Sequence, residues 1–219
     1  ILPLLNFWGF GPYKYEDIDS SDINKMLDLI GFYKIDLKDN SLSKPKDMML
    51  DFNGIAQGYS VDLICELLEE YDIHNYLVEI GGELKSKGLN PEGMIWRVGI
   101  EKPLESSNND LQVIISLQNQ SLATSGSYRK FYKHNEIKYS HIIDPFTGFP
   151  AQNKLLSVSV LSKDCIDSDG YATAFMSMGL EKTKEYLLKN PNLKVYLIYT
   201  NTNGEWNVFY SSGLKDMII

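Results

Sequence analysis

The sequence predicts an α+β fold in which a mainly antiparallel sheet packs against helices. Segments with strand character outnumber segments with helix character, and many of the strands are joined by short turns. The 219 residues are 43% hydrophobic, which is enough for a sizeable core, and they show no internal repeat and no linker. We therefore predict a single domain over residues 1–219.

The first half of the chain contains two helix patterns and then three strand patterns. "SSDINKMLDLIG" offers Ser20 and Ser21 as helix caps, apolar residues at helical spacing, and Gly31 as a stop. "NYLVEI", which ends at Gly81-Gly82, and "MIWRVGIE" and "LQVIISLQ" read as strands. A second helix is predicted over residues 57–71, because five residues keep the spacing of one buried face: Val61, Ile64, Cys65, Leu68 and Tyr71.

The second half alternates strands, turns and helices. "YRKFYKH" and "IKYSHIID" predict a hairpin joined at Asn135-Glu136, followed by the Pro/Gly turn "DPFTGFP". "LLSVSVLS" predicts a strand. In "DSDGYATAFMSMG" the small and apolar residues from Tyr171 onward predict a packed helix, and "LEKTKEYLLK" predicts another. "KVYLIYT" and "WNVFYS" predict a closing strand pair around "NTNGE".

Composition excludes some partners. A net charge of −8 and a pI near 4.9, without a cluster of Lys and Arg, argue against a nucleic-acid partner. Cys65 and Cys165 lie far apart in apolar helical patterns, so we expect buried free thiols. No apolar run approaches the roughly 20 residues of a membrane span. The abrupt apolar start resembles the interior of a longer protein, which would carry any export signal or lipid anchor elsewhere.

The first stretch with chemical potential pairs an acid with a hydroxyl. Asp169 and Thr173 are four residues apart, so on a helix they lie on one face and can reach one point. Hard oxygen donors of this kind suit Mg²⁺, which binds one or two carboxylates together with carbonyls, water and phosphate. A structural alternative remains open, in which Asp167 or Asp169 caps the helix and Thr173 bonds to the backbone.

Four further stretches are weak signals when taken singly. "DFNGIAQGYSVD" is a glycine turn entering a helix, which suits a phosphate or serves only as a turn. The two glycines of "LVEIGGELKSKG" indicate a bulge or a close approach by a ligand. "LATSGSYRKF" reads as a Ser/Thr/Gly turn with several donors. "YSHIIDPFTG" contains His141 and Asp144 just ahead of a tight turn, and a lone histidine is more often structural than catalytic.

The wording and order of these stretches together resemble the FAD:protein FMN transferase family, also called the ApbE family. The resemblance runs from about Leu5 to Tyr199, and "SHIIDPxTG" followed by D-x3-T-A is its most specific part. It is carried by seven segments: "WGFGP", "DFNGIAQGYSVD", "LVEIGGELKSKG", "WRVGIEKP", "LATSGSYRKFY", "YSHIIDPFTGFP" and "DSDGYATAFMSMG".

The resemblance implies an enzyme that uses Mg²⁺ to cleave FAD, attaches FMN by a phosphoester bond to a threonine of a target flavoprotein, and releases AMP. Targets in the family include subunits of membrane redox complexes. Two alternatives stay open: a Mg²⁺-dependent FAD pyrophosphatase that yields FMN and AMP, and a catalytically weakened FAD-binding protein. The family also implies a location on the extracytoplasmic side of the cell membrane, often as a lipoprotein, and an N-terminal part that this sequence lacks.

Residue roles follow from the same resemblance. Asp169, Thr173 and the backbone carbonyl of Ala56 match the family's metal ligands. His141 matches the histidine proposed to act in catalysis, and Asp144 would orient that imidazole or lie close to the metal. The FAD-binding segments contain seven matching positions: Gly54, Gly58, Gly81, Gly82, Thr124, Ser125 and Gly126.

Four positions differ from the usual sequence motifs of the family. Asn53 stands where glycine is common, Gln57 where lysine is usual, Glu79 where asparagine is usual, and Ser127 where aspartate is usual. Gln57 and Glu79 still fall within the predicted FAD-binding segments. Because glutamine donates hydrogen bonds but carries no charge, we expect weaker FAD binding rather than none. Glu79 adds an acid near an anionic ligand.

Overall fold

A computed structural model describes residues 1–11, 20–103, 110–127, 131–134, 137–140, 142–151 and 154–219. The chain forms two compact units, the first from Ile1–Asp51 and Lys130–Gln152 and the second from Phe52–Arg129 and Asn153–Ile219. The assignment of residues 1–219 to one domain stays a prediction. Within the described residues, no helix combines the length and apolar character needed to cross a membrane.

The α+β class is confirmed. The helices are α1 (Leu2–Phe7), α2 (Ser20–Leu27), α3 (Ala56–Glu70), α4 (Cys165–Met178) and α5 (Leu180–Lys189). The strands are β1 (Asp36–Lys38), β2 (Ser41–Ser43), β3 (Tyr76–Ile80), β4 (Glu83–Lys87), β5 (Trp96–Glu101), β6 (Leu111–Leu117), β7 (Ser121–Gly126), β8 (Phe131–His134), β9 (Ile137–Ser140), β10 (Leu155–Ser162), β11 (Lys194–Thr200) and β12 (Trp206–Tyr210).

The second unit is built on a six-stranded sheet in the order β12-β11-β10-β7-β4-β3, in which every neighbouring pair is antiparallel. Side chains alternate between the two faces of a strand. Accordingly, Leu84 and Leu122 join a core with the separate β5–β6 pair, whereas Lys85 and Ser121 contact α3 and α4 on the other face. The sheet therefore lies between a helical layer and a two-stranded layer.

The first unit contains α1, α2 and two small hairpins. Leu4, Phe7, Ile23 and Ile143 form its buried cluster, and the indole N–H of Trp8 donates to the backbone carbonyl of Gly148 at 2.8 Å. Strands β8 and β9 pair antiparallel, which confirms the predicted hairpin, although its turn lies outside the described residues. The β1–β2 hairpin was not predicted.

Two details of the sequence prediction are corrected. "LATSGSYRKF" was interpreted as a turn, but residues 121–126 form strand β7, which lies between β4 and β10 and is buried in its first half. On α3, Val61 and Cys65 are buried as predicted, whereas Ile64 and Tyr71 are 42% and 73% exposed. The buried face of this helix contains Gly58 and Asp62, so it is partly polar and its apolar spacing was misleading.

Candidate active site

The candidate active site is organised by the contact between α3 and α4. The carboxylate of Asp62 accepts hydrogen bonds from the backbone N–H groups of Cys165 and Ile166, and the N–H of Gly58 donates to Asp169 Oδ2 at 3.0 Å. A third contact follows: a Cβ placed on Gly54 would lie 3.0 Å from the methyl group of Thr173. From one contact to the next, the residue number decreases on the α3 segment (62, 58, 54) and increases on α4 (165, 169, 173), so the two segments run antiparallel. Successive contacts are four residues apart on both segments, the spacing of about one helical turn, although Gly54 itself lies in the turn that precedes α3.

Gly58 allows this close approach. A Cβ at this position would lie 2.3 Å from the carbonyl oxygen of Cys165 and 2.9 Å from Cβ of Asp169. Contacts between nonbonded carbon atoms are optimal near 3.5–4.0 Å, so any side chain at position 58 would push the helices apart. The glycine in the "AQGYS" stretch is therefore required by helix packing.

Asp169 is buried, with 5% of its surface exposed. Burial raises the pKa of its carboxyl above the usual range, and the hydrogen bond from the backbone of Gly58 partly offsets the rise. A buried carboxylate is costly unless it is paired or binds a cation. Asp169 lies inside α4, which begins four residues earlier, so the alternative that Asp169 caps the helix is wrong.

Thr173 continues the same face of α4 one turn later. Its hydroxyl lies 3.2 Å from the hydroxyl of Ser125, which projects from β7. The structure therefore brings four predicted site residues, Asp169, Thr173, Ser125 and Gly54, to one side of the sheet around α4. It connects the hydroxyl of Thr173 to the sheet, whereas the sequence interpretation also allowed a bond to the backbone.

Oxygen donors at this place fit Mg²⁺. The donor set contains one buried carboxylate and one hydroxyl, and no group of three or more His, Cys, Asp or Glu side chains suited to a metal occurs among the residues the structure describes. Such a set suits a cation that keeps several waters and needs one carboxylate, rather than Zn²⁺. Ala56 begins α3 two residues before Gly58, and its carbonyl accepts a hydrogen bond from the hydroxyl of Ser60 at 2.8 Å.

A cavity of about 330 Å³ lies on the opposite face of the sheet. Apolar side chains of β5, including Val98 and Ile100, form part of its wall, and Glu101 adds a second acid beside Glu79. Five of the predicted FAD-binding residues line it: Glu79, Gly81, Gly82, Thr124 and Gly126. The structure thus gathers predicted residues from two separate sequence stretches into one pocket wall.

Strand β7 connects the two faces. Thr124 lines the cavity and its hydroxyl lies 2.7 Å from that of Ser159, whereas Ser125 points to Thr173 on the helical side. This alternation is the ordinary geometry of a strand. A ligand that reaches both the cavity and Asp169 must therefore pass around the sheet rather than through it.

The glycine pair after β3 offers such a passage. Gly81 and Gly82 have φ angles of +67° and +108°, which side chains rarely tolerate, and both line the cavity. The amide nitrogen of Gln57 lies 2.0 Å from where a Cβ on Gly81 would stand, so the side chain of Gln57 occupies the space over this turn. Gln57 thereby connects the start of α3 to the cavity wall.

The start of α3 offers fewer backbone donors than the sequence suggested. The N–H of Ala56 donates to the carbonyl of Phe52 at 2.8 Å, and that of Gly58 is held by Asp169. A phosphate here would depend on the helix dipole and on Gln57 more than on a ring of N–H groups.

Of the predicted catalytic pair, the structure describes only Asp144, which belongs to the first unit. His141 lies outside the described residues. Asp144 accepts a hydrogen bond from the N–H of Phe146 at 2.8 Å through its carboxylate, and its carbonyl accepts one from Gly148 at 2.9 Å. These bonds confirm the tight turn. A role of Asp144 toward His141 or a metal stays a prediction.

Sequence reasoning missed three residues near the site. Asp62 holds the first N–H groups of α4, and Lys85 forms ion pairs with Asp62 at 2.7 Å and with Asp164 at 3.0 Å. The only available signal was that Asp62 falls four residues after Gly58, on the same helix face. Ser127, another departure from the family wording, donates from its hydroxyl to the carbonyl of Leu155 at 3.1 Å.

Comparison with known proteins gives one consistent result. The model of the ApbE family matches residues 1–197. The FAD:protein FMN transferase of Vibrio cholerae is 38% identical over 219 residues, covering 99% of this chain and 65% of its own length. That of Haemophilus influenzae is 38% identical over 209 residues, covering 92% of this chain and 60% of its own length. The chain therefore spans less than two thirds of the length of these curated relatives.

Solved structures agree with the sequence comparison. The flavin transferase ApbE from Vibrio cholerae matches with a TM-score of 0.87 and 37% identity, covering 99% of this chain and 69% of that one. The flavinyl transferase ApbE from Pseudomonas stutzeri matches with a TM-score of 0.85 and 33% identity, covering 98% of this chain and 66% of that one.

Proposed function

The chain belongs to the ApbE family, and from this premise we propose that it is a Mg²⁺-dependent FAD:protein FMN transferase. In the proposed reaction, the hydroxyl oxygen of a threonine in a target flavoprotein attacks the phosphorus of the FMN half of FAD. The bond from that phosphorus to the bridging oxygen breaks, and AMP leaves with the bridging oxygen. The threonine then carries FMN through a phosphoester bond.

The observation that carries this proposal is the buried carboxylate of Asp169 on α4, which accepts a hydrogen bond from Gly58 near the start of α3 and lies one helical turn from Thr173. Asp169, Thr173 and the carbonyl of Ala56 would hold Mg²⁺. When bound, this ion neutralises charge that develops on the pyrophosphate, which is the main requirement of phosphoryl transfer. The raised pKa of Asp169 supports the assignment, because a buried carboxyl of this kind gains from a cation.

The shape of the site supports a dinucleotide substrate. A cavity of about 330 Å³ is near the lower end of the range for small-molecule pockets, so it suits one ring system rather than all of FAD. The rest of the molecule would pass the Gly81-Gly82 turn, where Gln57 donates hydrogen bonds from a neutral amide. The pyrophosphate, which joins the two halves of FAD, would then lie beside Asp169.

Proton transfer is assigned through the family resemblance. His141 would accept the proton of the attacking threonine hydroxyl, since the unperturbed pKa of histidine lies close to working pH.

We also propose that the protein acts on the extracytoplasmic side of the cell membrane, bound by a lipid anchor in the full-length protein. Separating cell fractions and probing each for the protein tests the location.

One experiment tests the function. The full chain is incubated with FAD, Mg²⁺ and a candidate target domain, and both AMP release and target mass are measured. Release of AMP together with a target heavier by one FMN supports the transferase. AMP with an unmodified target would instead identify an FAD pyrophosphatase. FAD binding with neither product would identify a flavin-binding protein without turnover.

A further inference from the structure

Asp62, a residue of α3, caps the N-terminus of α4. Its Oδ1 accepts a hydrogen bond from the N–H of Cys165 at 3.0 Å, and its Oδ2 accepts one from the N–H of Ile166 at 2.9 Å. These two residues open α4. The residue at the local capping position, Asp164, makes no side-chain bond to the helix although aspartate is well suited to do so. The first two N–H groups of α4 are therefore satisfied by a side chain of α3.

Lys85 holds Asp62 in this position. Its ammonium group donates to Asp62 Oδ1 at 2.7 Å and to Asp164 Oδ1 at 3.0 Å, and only 17% of its side chain is exposed. Burial lowers the pKa of Lys85, but the bonds to the two carboxylates outweigh burial and leave the pKa raised. Lys85 is thus charged at neutral pH. Two carboxylates around one ammonium leave a negative excess, which the positive end of the α4 dipole offsets.

Three residues of α3 and its entry therefore meet three positions of α4 at intervals of one turn. Asp62 meets Cys165, Gly58 meets Asp169, and Gly54 meets Thr173. The first contact is the one with two charge-assisted hydrogen bonds, and these are stronger and more directional than neutral bonds. It fixes both the rotation and the axial position of α4. A rotation of α4 about its axis would move Asp169 and Thr173 away from α3 together.

We propose that Asp62, held by Lys85, is a positioning residue that sets the register of α4 on α3 and so aims Asp169 and Thr173 at their common point. The consequence for metal binding rests on the proposed function. The register itself does not, because it is a property of the two helices. Removing a group that bonds directly to a metal ligand typically weakens metal binding about 10- to 100-fold. Asp62 acts through the position of α4 rather than on a ligand itself, so the lower end of this range is expected.

A matched control lies on the same helix and the same strand. Glu69 of α3 forms an ion pair with Lys87 of β4 at 2.7 Å and accepts a hydrogen bond from the hydroxyl of Tyr76 at 2.7 Å. This pair joins α3 to the β3–β4 hairpin, as Asp62 and Lys85 join α3 to β4, but its bonds do not go to α4. Glu69→Gln therefore removes a charge pair of the same length, although a more exposed one, without touching the register.

The test uses Asp62→Asn, Glu69→Gln and the wild-type full chain. Mn²⁺ serves as the probe because it accepts similar oxygen donors. Its binding in the presence of FAD is followed by electron paramagnetic resonance, and exchange of the backbone amides of Cys165 and Ile166 by hydrogen–deuterium exchange. Asp62→Asn is expected to raise the Kd for Mn²⁺ about tenfold and to accelerate exchange of both amides. Glu69→Gln should leave the Kd for Mn²⁺ and the amide exchange rates within about twofold of wild type, because exposed ion pairs contribute little energy.

A milder variant covers the case in which Asp62→Asn does not fold. Asp164→Asn removes the second anchor of Lys85 at a half-exposed position, and a rise in Kd of about 2- to 5-fold is expected from the loss of a partly exposed pair. The proposal is overturned if Asp62→Asn or, should it not fold, Asp164→Asn changes amide exchange and Kd no more than Glu69→Gln does. If the wild-type chain binds no Mn²⁺, the proposed function fails, and amide exchange alone then decides whether Asp62 sets the register.

Discussion

Replacing Gly58 by alanine tests the α3–α4 contact on which the site depends. The added methyl group would stand 2.3 Å from the carbonyl oxygen and 2.7 Å from the carbonyl carbon of Cys165, and both are backbone atoms that cannot rotate away. Normal contacts are about 1 Å longer, so the helices must separate by a similar amount. Overpacking of this kind costs about 1–3 kcal/mol, and the rigid neighbours place Gly58→Ala at the upper end. Because position 58 is helical, alanine returns up to about 1 kcal/mol through its higher helix propensity.

A net loss of about 2 kcal/mol corresponds to a fall in Tm of roughly 4–8 °C for a protein of this size. The separation would also lengthen the bond between the N–H of Gly58 and Asp169, so the response of Tm to added Mg²⁺ should shrink. Gly170→Ala is the control, because a Cβ there meets only the methyl group of Ile55 at 3.3 Å. We expect it to change Tm by less than about 4 °C, since alanine favours a helix by about 1 kcal/mol. A Gly58→Ala protein that unfolds within 2 °C of wild type, about 1 kcal/mol or less, would refute the reasoning.

Three further predictions concern charge and reactivity. Burial raises the pKa of Asp169, so its proton favours the folded state, and this stability is lost as pH rises through the folded pKa. In EDTA, the Tm of Asp169→Asn should therefore increase relative to wild type as pH rises above about 4, the ordinary pKa of an aspartate. The Tm of this variant should also show no rise with Mg²⁺. A difference in Tm that is independent of pH would contradict this. Gln57→Lys should lower the Kd for FAD about 3- to 10-fold, because a charged hydrogen-bond donor adds about 1 kcal/mol of binding free energy. Isothermal titration calorimetry measures this change. An unchanged Kd would show that Gln57 does not contact FAD. Burial raises the pKa of the thiols of Cys65 and Cys165, so a thiol reagent at pH 8 should label both only in denaturant, and rapid labelling of the native protein would contradict the burial.

The sequence predicted those elements whose pattern is local. Strand β10 alternates through "LLSVSVLS", and α5 has the spacing of an amphipathic helix, so both formed where expected. Strand β7 was misread because "SLATSG" has small polar residues and glycine, which locally favour a turn. Its hydroxyl groups are satisfied by other elements, Ser121 by Ser168 of α4 and Thr124 by Ser159 of β10. Such partners are distant in sequence, so no local pattern shows them.

The site was predictable in its residue types and not in its connections. Spacing placed Asp169 and Thr173 on one face of a helix, and the family resemblance added the glycines of the cavity wall. Neither could show that Ser125 and Thr124, adjacent in sequence, serve opposite faces of the sheet. Asp62 escaped notice because a buried acid on an otherwise apolar helix face looks like an exposed one until its partners are known.

The register of the helix pair explains why residues 54–62 and 165–173, which are more than a hundred residues apart, form one site. Along the first stretch, Gly54, Gly58 and Asp62 follow at intervals of four, and their contacts on α4 follow at the same interval in the opposite direction. The two glycines permit close approach, and the acid supplies the charge that fixes it. A side chain at either glycine or a neutral residue at position 62 would weaken the same contact by different means, steric in one case and electrostatic in the other. A stabilising substitution elsewhere would raise Tm but would not restore the hydrogen bond between Gly58 and Asp169. Restoring the register therefore requires relief of the steric clash in the first case and return of the charge in the second.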